Sequence, residues 1–174
     1  MNHKAPASSP KKEHIVPICQ NRRASFDYFI EKKFEAGIEL VGSEVKACRE
    51  GKVQLVDSFA SIEKDECFLH KAHISEYKHG GPNFNHTPVR RRKLLLHKRE
   101  IRNLEALLEQ KGYTLVPIRM YFKNGKAKVE LGLGKGKTKG DKRETVKQRE
   151  DSVQMSQAVK RRPNPRSSSF YDDE

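Results

Sequence analysis

Tyr113-Thr-Leu-Val-Pro-Ile-Arg-Met-Tyr-Phe122, Lys123-Asn-Gly125 and Lys126-Ala-Lys-Val-Glu-Leu-Gly-Leu133 decide the fold class. The two longer runs read as strands and the middle one as their turn. Asn and Gly accept the positive φ angles of a tight hairpin turn, whose twist matches that of the flanking strands. Upstream, Phe26, Tyr28 and Ile30, then Ile38, Leu40 and Val41, read as two strands joined at Glu35-Ala-Gly37. Val53–Ile62 and Cys67–Ile74 alternate as a second pair, with Glu63-Lys-Asp-Glu66 as the turn. A short helix fits residues 42–51, with Ser43 as N-cap and Gly51 as stop. A longer helix fits Lys98–Lys111, where Ile101, Leu104, Leu107 and Leu108 share one face and Gly112 follows. Residues 79–88 are a long loop. Short antiparallel strands with about three flanking helices predict a mainly β fold: a small closed antiparallel β-barrel of the oligonucleotide-binding kind with disordered termini.

The hairpin is followed by Gly132-Leu-Gly-Lys-Gly-Lys-Thr-Lys-Gly-Asp-Lys-Arg-Glu144, where the core-forming pattern stops. Residues 135–166 carry 11 basic and four acidic side chains, a surplus of +7, against +5 for residues 24–134. Three segments are expected: a disordered arm over 1–20, the barrel over 21–134 and a basic tail over 135–174, disordered when free. Asp141-Lys-Arg-Glu144 has the form of a capping box, so a helix starting there is expected once a partner supports its thin apolar stripe. Such a tail suits displacement of counterions from a nucleic acid. It has too few large apolar residues to insert into a membrane, and no run in the chain approaches a membrane span.

Seven histidines and 23 acids fall in no hydrolase, P-loop, zinc-protease or paired-cysteine motif, so no enzyme, metal or cofactor is indicated. His70 and His73 are three apart on a predicted strand and face opposite ways. Gly132-x-Gly-x-Gly136 lacks the buried helix of a dinucleotide fingerprint and reads as a flexible exit from the barrel. Cys19, Cys48 and Cys67 stand at no metal spacing and read as reduced thiols of a cytoplasmic protein. Arg90-Arg-Arg-Lys93 runs towards a helix start, where basic side chains and free N–H groups both favour phosphate. Tyr28 and Phe26, two apart, share a face if both are in a strand, and either stack on unpaired bases or fill the barrel. Glu35, in a turn, can accept from base edges or a 2′-hydroxyl.

Taken together, Tyr28-Phe-Ile, Phe34-Glu-Ala-Gly-Ile38, Gly42-Ser-Glu-Val-Lys46, Asp57-Ser-Phe, Arg92-Lys-Leu-Leu-Leu96, Arg99-Glu-Ile, Leu115-Val-Pro, Tyr121-Phe-Lys and Asp141-Lys-Arg-Glu144 resemble the SsrA-binding protein (SmpB) family, in order from about Ile18 to Glu150. The resemblance implies a bacterial protein that binds the tRNA-like domain of tmRNA and helps it into the A site of stalled ribosomes. Its tail would occupy the empty decoding centre and mRNA channel during trans-translation. Alanyl-tRNA synthetase and elongation factor Tu would be reached only through tmRNA, and the free protein would be a monomer. The RNA-binding positions it implies are Tyr28, Glu35, Leu95 and His97, to which the basic run adds Arg92 and Lys93. For the ribosome-directed tail the resemblance implies Lys135, Lys137, Asp141, Lys142 and Arg143 as its functional basic and capping residues. Four departures from the family pattern stand out: His97 where Asn is frequent, Ser43 where Trp or Thr is, Gly140 where an aromatic or His is, and no tail Trp.

Overall fold

In the computed structural model, which describes residues 14–78, 85–110 and 112–160, the turn forms as read. Asn124 (φ 50°) and Gly125 (φ 78°) link β8 (Tyr113–Lys123) to β9 (Lys126–Gly136). The other strands of this body are β1 (Ile15–Gln20), β2 (Tyr28–Ile38), β3 (Val53–Gln54), β4 (Phe59–Glu63), β5 (Glu66–His70), β6 (His73–Ile74) and β7 (Arg92–Leu95). Three helices accompany them: α1 (Ala24–Asp27), α2 (Gly42–Arg49) and α3 (Lys98–Leu108).

The pairings run β8-β4-β5-β7-β2-β9 and return to β8, a ring of six strands with β1 added outside β8. The fold is mainly β, as expected, but the ring is unevenly bonded. β8 pairs with β9 at ten positions from Tyr113↔Lys135 to Lys123↔Lys126, whereas β4 meets β8 only at Ala60↔Leu115. Inward-facing Ala36, Leu69, Leu94, Leu115, Met120, Val129, Leu131 and Leu133 fill the ring, and Leu104 of α3 joins the same core.

Several expectations change. Residues 15–20 are not an arm: β1 pairs antiparallel with β8 from Ile15↔Lys123 to Gln20↔Arg119. It lies at the sheet edge, where Pro17 costs no ladder hydrogen bond. Residues 1–13 lie outside the described residues. Glu35-Ala-Gly37 is not a turn but part of one long strand, because β9 satisfies its backbone groups from Tyr28↔Gly136 to Gly37↔Lys128. Phe26 belongs to α1 and so shares no strand face with Tyr28. Finally, Gly132–Gly136 is strand rather than flexible exit. A Cβ at Gly132 would come within 2.8 Å of Ile118 Cδ1 and 3.0 Å of Ile30 Cδ1, so glycine lets these side chains lie over β9.

The predicted Val53–Ile62 and Cys67–Ile74 strands each break in two, and β3 and β6 form their own two-stranded sheet. The interruptions fall at Asp57 (φ 61°) and Lys71 (φ 56°), whose left-handed backbone turns the chain. The Lys64-Asp65 hairpin turn is as read. Ser43 is the first-turn residue of α2 and not its cap; its Oγ lies 2.9 Å from His86 Nδ1, and the Glu44 carboxylate accepts the Val41 N–H at 2.9 Å.

Residues 137–174 separate by their contacts from residues 1–136. In this second unit Lys139–Lys160 form α4, where the sequence reading expects order only on binding. Its start lies upstream of the Asp141 box. Asp141 Oδ2 accepts the Thr138 N–H (2.9 Å) and hydroxyl (2.7 Å), making Thr138 the cap and Asp141 its third-position partner. Residues 161–174 lie outside the described residues.

Candidate nucleic-acid interface

β2, β9 and β8 turn one face away from the core. Across β2 and β9, Glu35 stands opposite Glu130, and two carboxylates so placed repel. Each is neutralised by its own partners. Glu35 accepts a 2.5 Å hydrogen bond from the Tyr121 hydroxyl and lies 3.5 Å from Lys123 Nζ and 3.7 Å from Lys128 Nζ. Glu130 pairs with Arg119 and, at 3.1 Å, with Lys33. The Tyr121 hydroxyl, with Lys123 and Lys128, holds Glu35 below the usual carboxylate range, so it is ionised at neutral pH. Burial, together with the Glu35 charge, pushes Tyr121 up to about 12, which keeps it a donor. Burial alone would raise Glu130, but Arg119 and Lys33 outweigh it. The strip therefore sets four cations against two anions, leaving positive charge for phosphate.

Beside this strip, Gly37 pairs with Leu95 of β7. Leu95 is 55% exposed, unusual for a leucine in a closed sheet. It edges a groove of about 470 Å³ with Ile38, Leu40, Phe122, Ala127 and Lys128. An apolar floor rimmed by lysines suits a base or ribose whose phosphates stay at the edge.

The model of the SmpB protein family matches residues 18–161. The chain belongs to the SmpB family. A relative called SsrA-binding protein from Geobacillus kaustophilus (strain HTA426) is 54% identical over 153 residues, covering 88% of this chain and 97% of its own. Another of that name, from Geobacter sulfurreducens (strain ATCC 51573 / DSM 12127 / PCA), is 54% identical over 143 residues, 82% of this chain and 93% of its own. A solved chain described as "tmRNA-SmpB: a journey to the center of the bacterial ribosome" is 48% identical with a TM-score of 0.62, covering 75% of this chain and 95% of that one.

In this SmpB family member the positions singled out from sequence do not all converge. Glu35 and Leu95 do. Lys93 lies two residues before Leu95 on the same outward face, its ammonium on Glu66. His97 is the exposed cap residue of α3, and its backbone N–H donates to Glu100 Oε2 at 3.0 Å. Tyr28 is seven residues along β2 from Glu35, about 23 Å at strand rise, and lines a separate cavity.

Arg92 is a correction. It is fully buried, its Nε 2.8 Å from Glu44 Oε1 and its other nitrogens donating to the carbonyls of Ala72, Pro88 and Arg90. Strand alternation explains it: Arg92 and Leu94 point inward, Lys93 and Leu95 outward. A guanidinium so held cannot meet RNA. Arg90 completes the ion group on Glu44 at 2.6 Å.

Lys135 lies within β9 opposite Phe29 and Tyr113, not in the tail. Lys137 Nζ donates to Thr145 Oγ1 at 3.2 Å, and Asp141 is the third-position partner of the Thr138 cap of α4. Lys142 and Arg143 lie in the first turns of α4, with Arg143 exposed.

Sequence reading missed Tyr121, Lys123 and Lys128. The Asn-Gly turn contained the signal, since a two-residue loop sets Lys123 opposite Lys126 and Tyr121 opposite Lys128 on one face. Among the described residues no three His, Cys, Asp or Glu side chains are placed to hold a metal, and no helix is long and apolar enough to cross a membrane. Burial pushes the thiols of Cys19 and Cys67 up to about 11 and that of Cys48 to about 12, so all three stay protonated.

Proposed function

We propose that this protein binds the tRNA-like domain of tmRNA through the Glu35–Leu95 face and promotes its entry into the A site of stalled ribosomes in trans-translation. The observation that carries the reading is the exposed Leu95 beside an ionised Glu35 clamped by Lys123, Lys128 and Tyr121. Leu95 offers an apolar contact to an unstacked base or ribose. Glu35 accepts from a 2′-hydroxyl or a base edge, and the lysines meet phosphate. Binding of tmRNA agrees with the names of the relatives and of the structural neighbour.

The basic tail acts elsewhere. α4 and the residues after it occupy the empty decoding centre and mRNA channel, and the cations of Lys137, Lys142 and Arg143 face ribosomal phosphate. mRNA in the channel excludes the tail, so occupancy selects stalled ribosomes. Alanyl-tRNA synthetase and elongation factor Tu act on the bound tmRNA, and this chain supplies binding rather than bond-making.

A gel-shift titration against the tRNA-like domain of tmRNA, with excess unrelated tRNA at two salt concentrations, tests the first half. Binding that survives competitor and higher salt is expected. Binding that collapses under both would make this a generic cationic RNA binder.

A further inference from the structure

A second cavity, of about 330 Å³, lies where α1 and the start of β2 face the Asp57 turn and β4. Its lining includes two aromatic rings, Tyr28 and Phe59, above Thr114 and Val116 of β8. Phe59 is 38% exposed, and His70 stacks on it at 5.1 Å between centroids and 12° between planes. Lys71 Nζ stands 5.9 Å from the Phe59 centroid, a cation beside the same ring.

The polar lining of this cavity includes Arg23, Tyr28 and Thr114, which can donate, and Asn21 and Asp57, which offer acceptors. Asn21, only 7% exposed, uses its Nδ2 to donate to the carbonyls of Leu55 (3.0 Å) and Pro117 (3.1 Å). That fixes the orientation of the amide and leaves Oδ1 as a buried acceptor with no partner. Such an atom costs free energy unless a donor or a bridging water meets it. At the mouth the Asp57 side chain is 78% exposed, touched by Arg23 Nη1 at 3.6 Å. Its backbone turns through φ 61°, and the turn is tied down by Ser58, whose Oγ donates to Leu55 O at 2.6 Å.

We propose that this cavity takes a single unpaired purine base of an RNA, guanine in preference to adenine or a pyrimidine. The aromatic walls accept any base by stacking. The Asp57 carboxylate at the mouth, with Arg23 at 3.6 Å as its neighbouring cation, selects the base. The Watson–Crick edge of guanine presents N1–H and N2–H₂ side by side and suits one carboxylate, Asp57, bidentately. Adenine offers a single donor group there, and uracil sets a donor between two acceptors. Lys71 and Arg23 are the cations at hand for the nucleotide's phosphate. The inference rests on RNA being the partner and adds to the Glu35–Leu95 face a contact far along β2.

The test uses the isotope-labelled full chain, titrated separately with guanosine, adenosine and uridine 5′-monophosphates and with inorganic phosphate, to concentrations on the order of 10 mM suited to millimolar affinities. Guanosine monophosphate should shift the Asn21 side-chain amide and the backbone amides of Tyr28, Phe59 and Thr114, more than adenosine monophosphate does and far more than phosphate. Asp57→Asn, which keeps a residue tolerant of the left-handed backbone, should weaken guanosine monophosphate about tenfold and leave adenosine monophosphate nearly unchanged. Equal shifts from all four probes, shifts confined to the Leu95 groove, no shifts, or an unaltered preference in the variant would each overturn the assignment. Because the probes are mononucleotides, that failure is separable from a failure to bind the tRNA-like domain.

Discussion

At the scale of single residues, Arg92 shows how chemistry alone misleads and alternation corrects. A basic run invites a phosphate, yet Arg92 shares the inward face with Leu94 and needs Glu44 to be there at all. Arg92→Met should cost about 3–5 kcal/mol, because it leaves the Glu44 carboxylate buried with less compensation. The measurement is the urea midpoint, and Arg92→Met with Glu44→Leu should recover part of the loss. Burial pushes Glu44 up, but hydrogen bonds from Arg90 and the Val41 N–H, with the Arg92 charge, outweigh it and hold its carboxyl low. A carboxyl lowered on folding stabilises above its unfolded range and loses that contribution as pH falls through its folded value. Stability should therefore decline on acidification through and below the ordinary carboxylate range, and Glu44→Gln should be less stable at neutral pH with a flatter profile. On the outer surface the expectation is different. Leu95→Ala should leave the unfolding free energy from urea titration within about 0.5 kcal/mol while weakening binding of the tRNA-like domain about tenfold. Glu35→Gln should also weaken binding in the same gel shift. Unchanged affinity in both would remove this face from the RNA contact.

At the scale of elements, what could be read was whatever a local rule decides. The Asn124-Gly125 hairpin, the Lys64-Asp65 turn and the apolar face of α3 follow from turn chemistry and helical period, and all three are present. The readings that changed depended on partners distant in sequence. Glu35-Ala-Gly37 looks like a turn until β9 is laid beside it, and Gly132 looks like a loop until Ile30 and Ile118 are seen crossing it. Likewise, Ile15–Gln20 is too short and too polar around it to read as strand without β8. Half of the candidate face, Glu35 and Leu95, came from the family pattern. The other half, Tyr121 with Lys123 and Lys128, needed only the hairpin register. For α4 the cap proves to be Thr138 rather than Asp141. Thr138→Ala should fray the first turn and lower the helical chemical shifts of residues 139–142, with the later turns less affected. If those shifts stay unchanged, the Thr138–Asp141 pair does not hold the helix start.

At the scale of the whole molecule, the proposed function gives the two units separable tasks. Reversing charge at Lys142 and Arg143 should leave the affinity for the tRNA-like domain within about twofold, since neither lies on the proposed face, yet abolish rescue of ribosomes stalled without a stop codon. Loss of RNA binding in that variant would mean that the tail, not the body, supplies the affinity. The ring itself is fastened unequally. The Ala60↔Leu115 pair is the one backbone pairing between β4 and β8, and the Phe59 cavity on one side and a hollow lined by Leu108 and Tyr113 on the other flank it. Amide protons of β4 should consequently exchange with deuterium faster than those of β9, which is bonded along both edges. A zip with one loose tooth is also a sensor: whatever fills the cavity beside it stabilises the closed form, so occupancy there should read out as slower exchange at Ala60.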